Sequence, residues 1–261
     1  MEDVAGPLLG LTVGLVAGSF SGLLGVGGGL VLTPLLVLAL GLDQHSAQGV
    51  TLVALILPLG LPAYHAYRKA GIAVSWPLVS RMIAGFVVAS LGGAWVANQL
   101  SNRALRLAFV AGLVYVGGRT LHTLWRDRAL ATISPEGAHP PHELARGFSI
   151  GAIGGFTAGL FGVGGAVITI PLMRARLAMT QHQAQATSLA MMLPPIGLPA
   201  ALMYARGASG LPWALLAETA MGFLVGGLAG GRLSVKLSGR VVSGLFAAYT
   251  IVAAVFLALR T

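Results

Sequence analysis

Apolar stretches separated by short polar pieces run the length of the chain. Most of their lengths, roughly 17 to 25 residues, are those that a bilayer core of about 30 Å demands of a helix. Five lie in the first half, near Pro7–Leu24, Val26–Leu42, Gly49–Tyr67, Trp76–Leu100 and Ala104–Leu124. Five more lie in the second, near Gly147–Phe161, Val163–Met179, Thr187–Tyr204, Trp213–Leu237 and Val241–Leu259. Between them sits the longest polar piece, 125–146, too short to form a core of its own. The pattern predicts an all-α polytopic membrane protein without a soluble domain.

The two halves are copies of one unit. Displacing the chain by 137 positions sets Gly10, Gly14, Gly18 and Gly22 on Gly147, Gly151, Gly155 and Gly159 without a gap. The same displacement sets Pro34 on Pro171, His45 on His182, Gln48 on Gln185, Pro62 on Pro199, Tyr67 on Tyr204 and Trp76 on Trp213. From Gly10 to Gly71, about 23 of about 62 positions are identical, far more than two unrelated apolar stretches share. Residues 1–124 therefore form one transmembrane repeat, 125–146 a linker and 147–261 the second repeat. Each repeat has five segments, or three crossings if its opening pair is a re-entrant hairpin. Both numbers are odd, so the two repeats are expected to have inverted topology.

Composition and charge agree. Of 261 residues, 56% are hydrophobic and 9% charged, against about 25% charged in a soluble domain. With the amino terminus outside, the cytoplasmic side collects Arg68, Lys69, Arg119, Arg126, Arg128, Arg146, Arg174, Arg176, Arg232, Lys236 and Arg240. Outside fall Arg103, Arg106, Arg206 and Arg260. This bias predicts a multi-pass protein of the cell (inner) membrane, a cytoplasmic linker and two non-cytoplasmic termini. The opening MEDVAG is acidic rather than basic, so the first segment is expected to be retained. The net charge of +9 is scattered singly at segment ends, which argues against nucleic acid as a partner. Cysteine is absent, which excludes disulfide and thiolate chemistry.

Glycines break the opening pair of each repeat. Gly22 to Pro34 read GLLGVGGGLVLTP, and Gly159 to Pro171 read GLFGVGGAVITIP. The glycines at spacing four that precede them form a stripe suited to close helix packing. Consecutive glycines, followed by proline at the same distance twice, need another reason. Paired interruptions in inverted repeats place unpaired backbone groups near the midplane, where they are tolerated if they line a cavity. The helix restarting after each break turns its first amides and positive dipole end toward that point. Gly25, Gly27, Gly28 and Gly29, with Gly162, Gly164 and Gly165, are thus candidate substrate-binding positions, and the favoured ligand is an anion.

These motifs, each followed by a segment opening AQGVTL (Ala47–Leu52) or AQATSL (Ala184–Leu189), resemble the TauE/SafE family of sulfite and organosulfonate exporters. The glycines of YRKAGIAVSW and YARGASGLPW, each followed by a short turn and Trp, fit the family too. The chain departs from it at Val50, where Thr is usual, and at Ala166, where the third glycine would stand. The resemblance implies a permease, generally an exporter, for small sulfur-containing anions. Together with the midplane breaks it predicts a secondary transporter working by alternating access. A passive anion channel, or a permease for another small organic anion, is the alternative.

Polar side chains nearby complete the expected site. Gln48 and Gln185 can each donate two hydrogen bonds without the penalty of a buried charge. Thr51 and Ser188 add hydroxyls one turn further on. These four are substrate-binding candidates, with hydrogen bonding between helices as the rival role. His45 and His182 lie three residues before the glutamines and share their face, which makes them candidates for proton coupling. Arg81 and Glu218 are charges inside predicted helices at equivalent positions. Arg81 is a candidate for attracting anions and Glu218 for proton coupling, each snorkelling near its own interface. Pro58, Pro62, Pro195 and Pro199 are candidate hinges. An enzyme is not expected: GSFSG (Gly18–Gly22) lacks the nucleophile-elbow spacing, and no acidic pair or metal-ligand cluster is present. The glycine loop lacks the Lys-Ser/Thr of a nucleotide site, so no cofactor and no metal are expected. The partners implied are the lipid bilayer and a small anionic substrate, and a homodimer is compatible with all of this.

Overall fold

A computed structural model describes residues 7–26, 28–54, 60–126, 141–162, 165–195, 198 and 213–259. Among these residues the chain forms eleven helices. The first repeat supplies α1 (Pro7–Leu24), α2 (Gly29–Leu40), α3 (Gln44–Ala54), α4 (Leu61–Lys69), α5 (Trp76–Gln99) and α6 (Asn102–Arg126). The second supplies α7 (Pro141–Phe161), α8 (Ala166–Leu177), α9 (Gln181–Met191), α10 (Trp213–Ser234) and α11 (Gly239–Leu259).

Not every apolar segment is a full-length crossing. Helices α5, α6, α10 and α11 are long and apolar enough to span a membrane. By contrast α2 and α8 have 12 residues each, about 18 Å of rise, and cannot cross a core of about 30 Å. Of the expected third segment, Gly49–Tyr67, the structure describes helix α3, which already begins at Gln44, and helix α4 from Leu61; residues 55–59 between them lie outside the described residues. Pro62 stands in the first turn of α4, where a missing N–H breaks no helical hydrogen bond. It starts that helix rather than kinking one. Pro58 and Pro199 lie outside the described residues.

The glycine stripes decide how the repeats meet. A methyl on Gly14, Gly18 or Gly22 of α1 would overlap the main-chain oxygens of Thr219, Phe223 and Gly227 on α10. The facing glycines do the same in return, Gly222, Gly226 and Gly230 against Leu11, Leu15 and Ser19. In the second repeat Gly151, Gly155 and Gly159 of α7 meet Met82, Phe86 and Ser90 on α5. Displaced by 137 positions, Met82, Phe86 and Ser90 become Thr219, Phe223 and Gly227, so one contact is built twice. The opening helix of each repeat thus packs backbone to backbone on the other repeat. The equivalent helices α6 and α11 also pack on each other. Large apolar side chains such as Leu30, Leu36, Phe86, Phe109, Phe223 and Phe246 fill the space between these pairs and are almost fully buried.

Candidate functional site

Each opening helix ends in a left-handed glycine. Gly25 adopts φ 67° and its N–H donates to the Ser21 carbonyl at 2.7 Å. Gly162 repeats this with φ 67° and a 2.7 Å bond to Ala158. Such a cap reverses the chain and satisfies a carbonyl that the helix end would otherwise orphan. Three residues on, Gly28 (φ 101°) and Gly165 (φ 71°) are the N-caps of α2 and α8. Gly29 and Ala166 are already the first helical residues, so the glycine-to-alanine departure falls where positive φ is not needed. Both restarting helices begin buried, with their first amides at the break. Gly27 and Gly164 lie outside the described residues.

Each break is closed by side chains of the opposite repeat. A methyl on Gly25 would stand 2.5 Å from Cβ of Gln185 on α9, and one on Gly162 would stand 2.7 Å from Cβ of Gln48 on α3. The phenyl of Phe223 covers Gly28, and that of Phe86 covers Gly165. Gln48, Thr51, Gln185 and Ser188 are all 0% exposed. The structure therefore brings each glutamine candidate to a glycine break and buries the described ends of both breaks within the protein.

The polar partners are unequal. Gln185 donates from Nε2 to the Leu24 carbonyl, the end of α1, at 2.7 Å. Its Oε1 lies 3.1 Å from the Tyr67 hydroxyl and 3.2 Å from Nδ1 of His182. Tyr67, in turn, is 2.7 Å from Ser234 Oγ on α10. The Tyr67 proton goes to Gln185, whose oxygen can only accept, and Ser234 donates to Tyr67. Thr51 donates to the Ala47 carbonyl at 2.8 Å and accepts from Thr33 at 3.0 Å. Its counterpart Ser188 has Ile170 where Thr33 would be, and among the described residues its hydroxyl has no hydrogen-bond partner. A buried hydroxyl without a partner costs about 1–3 kcal/mol.

Other candidates lie apart. The Glu218 carboxylate packs against Gly10, near the start of α1, some 22 Å of helical rise from Gly25. Arg81 is exposed, on α5 beside the Gly151 level, about 16 Å along α7 from Gly162. The His45 side chain lies outside what is described. Among the described residues there is no cluster of three or more metal-ligating side chains.

Sequence reasoning passed over Tyr67, Ser234 and the phenyl pair. Tyr67 and Phe86 both have identical residues 137 positions on, Tyr204 and Phe223, which was a usable signal. Ser234 carries no such signal, because its equivalent is Ala97.

The description "Sulfite exporter TauE/SafE" belongs to a family model that matches residues 10–257. A "Probable membrane transporter protein" of Xylella fastidiosa (strain Temecula1) is 30% identical over 238 residues, covering 87% of this chain and 83% of that protein. A protein of the same name from Xylella fastidiosa (strain 9a5c) is 28% identical over 235 residues, covering 87% and 83%. The "Probable membrane transporter protein YunE" of Bacillus subtilis (strain 168) is 25% identical over 199 residues, covering 69% and 71%. No solved structure matches the chain significantly. The chain belongs to the TauE/SafE family and is a multi-pass membrane transporter.

Proposed function

We propose that this TauE/SafE transporter exports small sulfur-containing anions, such as sulfite or organosulfonates, by alternating access around the two glycine breaks. The observation that carries the reading is the reciprocal closure of the breaks: each is sealed by the glutamine and the phenyl of the other repeat. With the two repeats inverted as the sequence predicts, this reciprocity supports a reading in which two positive helix ends and two glutamine amides hold the anion. The family description supports the substrate class, and the charge bias supports insertion in the inner membrane with both termini outside. Complete burial of Gln48, Gln185, Thr51 and Ser188 favours a carrier caught closed over a permanently open pore. For an anion to enter, one phenyl and one glutamine must withdraw, and exchange of contacts between the repeats supplies that motion.

The test is binding followed by flux. Thermal stabilisation of the purified protein is scanned against sulfite, sulfonates, sulfate, chloride and cation controls, for the native chain and for Gln48→Ala and Gln185→Ala. Stabilisation by sulfur oxyanions, lost in both variants while they remain folded, is expected, with saturable sulfite flux in proteoliposomes. A shift unchanged in both variants would remove the glutamines from the site. No shift with any sulfur anion would remove the substrate reading. Flux that does not saturate would favour a channel.

A further inference from the structure

His182 stands at the start of α9, partly exposed, with both ring nitrogens against oxygens. Nδ1 lies 3.2 Å from Gln185 Oε1, and Nε2 lies 3.1 Å from the Leu237 carbonyl oxygen just beyond α10. A carbonyl oxygen only accepts hydrogen bonds. The orientation of the Gln185 amide is fixed independently, because its nitrogen is the atom that meets the Leu24 carbonyl at 2.7 Å. Turning the amide over would press two acceptors together there. Its oxygen therefore faces His182 and also only accepts. A neutral imidazole carries one N–H and would leave its bare nitrogen pointing at an oxygen. The imidazolium donates to both.

We infer that His182 binds a proton in this closed arrangement, and that losing the proton unfastens α9 from the end of α10 beside the first break. The inference deepens the transport reading, in which Gln185 meets the anion, but it stands on the ring geometry. Tyr67 on α4 has its ring centroid 6.1 Å from that of His182. The other titratable groups on helices packed around α9 are Tyr64, His65, Arg68 and Lys69 on α4, Arg81 on α5, Arg174 and Arg176 on α8, and Arg240 and Tyr249 on α11. On α10 they are Arg232, with Lys236 just beyond, and Glu218, whose carboxylate lies sixteen residues before Ser234, about 24 Å away. These neighbours are mostly cations, and the start of α9 turns its positive dipole end toward the ring. Two neutral oxygens, one of them at the favourable carboxyl end of α10, hold the charge against them.

The sign follows from linkage. A proton whose two hydrogen bonds exist only in the folded chain stabilises that chain at low pH, and the contribution is lost as pH rises and the proton leaves. The experiment uses the full chain in nanodiscs without any candidate anion substrate. Its thermal midpoint is expected to fall by about 3 °C between pH 5.5 and pH 8, the worth of one lost hydrogen bond. His182→Gln should flatten that dependence, while His65→Gln and His122→Gln should keep it. The nitrogen-15 histidine spectrum at pH 5.5 should show a ring, absent in His182→Gln, with both nitrogens protonated. Should that variant fail to fold, a chain lacking the other five histidines isolates the same ring. An unchanged pH dependence in His182→Gln, or a neutral tautomer for this ring at pH 5.5, overturns the inference. Either failure leaves the sulfite binding test untouched, since no sulfur anion takes part.

Discussion

The two glycine breaks share one backbone and differ in what surrounds it. Gly25 and Gly162 have the same φ, the same bond to the residue four back, and a glutamine of the other repeat at the same place. Around the first break, Gln185 is tied to Leu24, Tyr67 and His182, and Ser234 extends the network. At the second, the position of Ser234 is occupied by Ala97. The hydroxyl pair runs the other way: Thr33 meets Thr51 in the first repeat, while Ile170 and Ser188 replace them in the second. A duplicated frame has thus kept its main-chain geometry, which any side chain except glycine's would strain, and let its polar dressing diverge. The equal part is what the turn requires. The unequal part is where the two halves can take different roles in one cycle.

The largest effect should come from the shared part. Gly25→Ala and Gly162→Ala each force a side chain into left-handed backbone and into a glutamine, for an expected loss of about 3 kcal/mol or more apiece. Thermal midpoints in detergent would check this, and a large inequality between the two would break the claim of a common frame. Tyr67→Phe attacks the unequal part. It removes the link between Gln185 and Ser234 and should cost about 1–2 kcal/mol. No change in midpoint would mean that the network adds nothing to the first break. The smallest effect has the opposite sign. Gly41 ends α2 with φ 67°, and Ala178 ends α8 with φ 51°, at equivalent positions. Nothing stands within 4 Å of a methyl on Gly41, so the strain at Ala178 is in its backbone. Ala178→Gly should therefore stabilise by about 0.5–1 kcal/mol, seen as a rise in midpoint of a few degrees.

Much of this was legible in the chain. Helix α1 lies on the first apolar segment and ends with it at Leu24, and the repeat brought the glutamines and glycine breaks into one argument. Hydropathy alone left open whether the opening pairs cross, because the segment Val26–Leu42 is apolar throughout while helix α2 covers only Gly29–Leu40. A bilayer reads mean apolarity, whereas a helix end is decided by where its backbone groups find partners. Arg81 and Glu218 are read from the sequence as lying near opposite interfaces, and the structure sets both several helical turns from the breaks. The network at His182 escaped for a different reason: its members come from four helices and its last member has no counterpart in the repeat.

The exchange of opening helices between the repeats also has a consequence in time. The partner of α1 is α10, which begins at Trp213, almost the whole chain later. At roughly 5–20 residues per second, a ribosome needs on the order of 10–40 s to reach it. Throughout that interval the glycine face of α1 has emerged without the backbone it is shaped to touch. Assembly of this protein must therefore include a waiting step, and the nascent first repeat is the species that a membrane chaperone would meet.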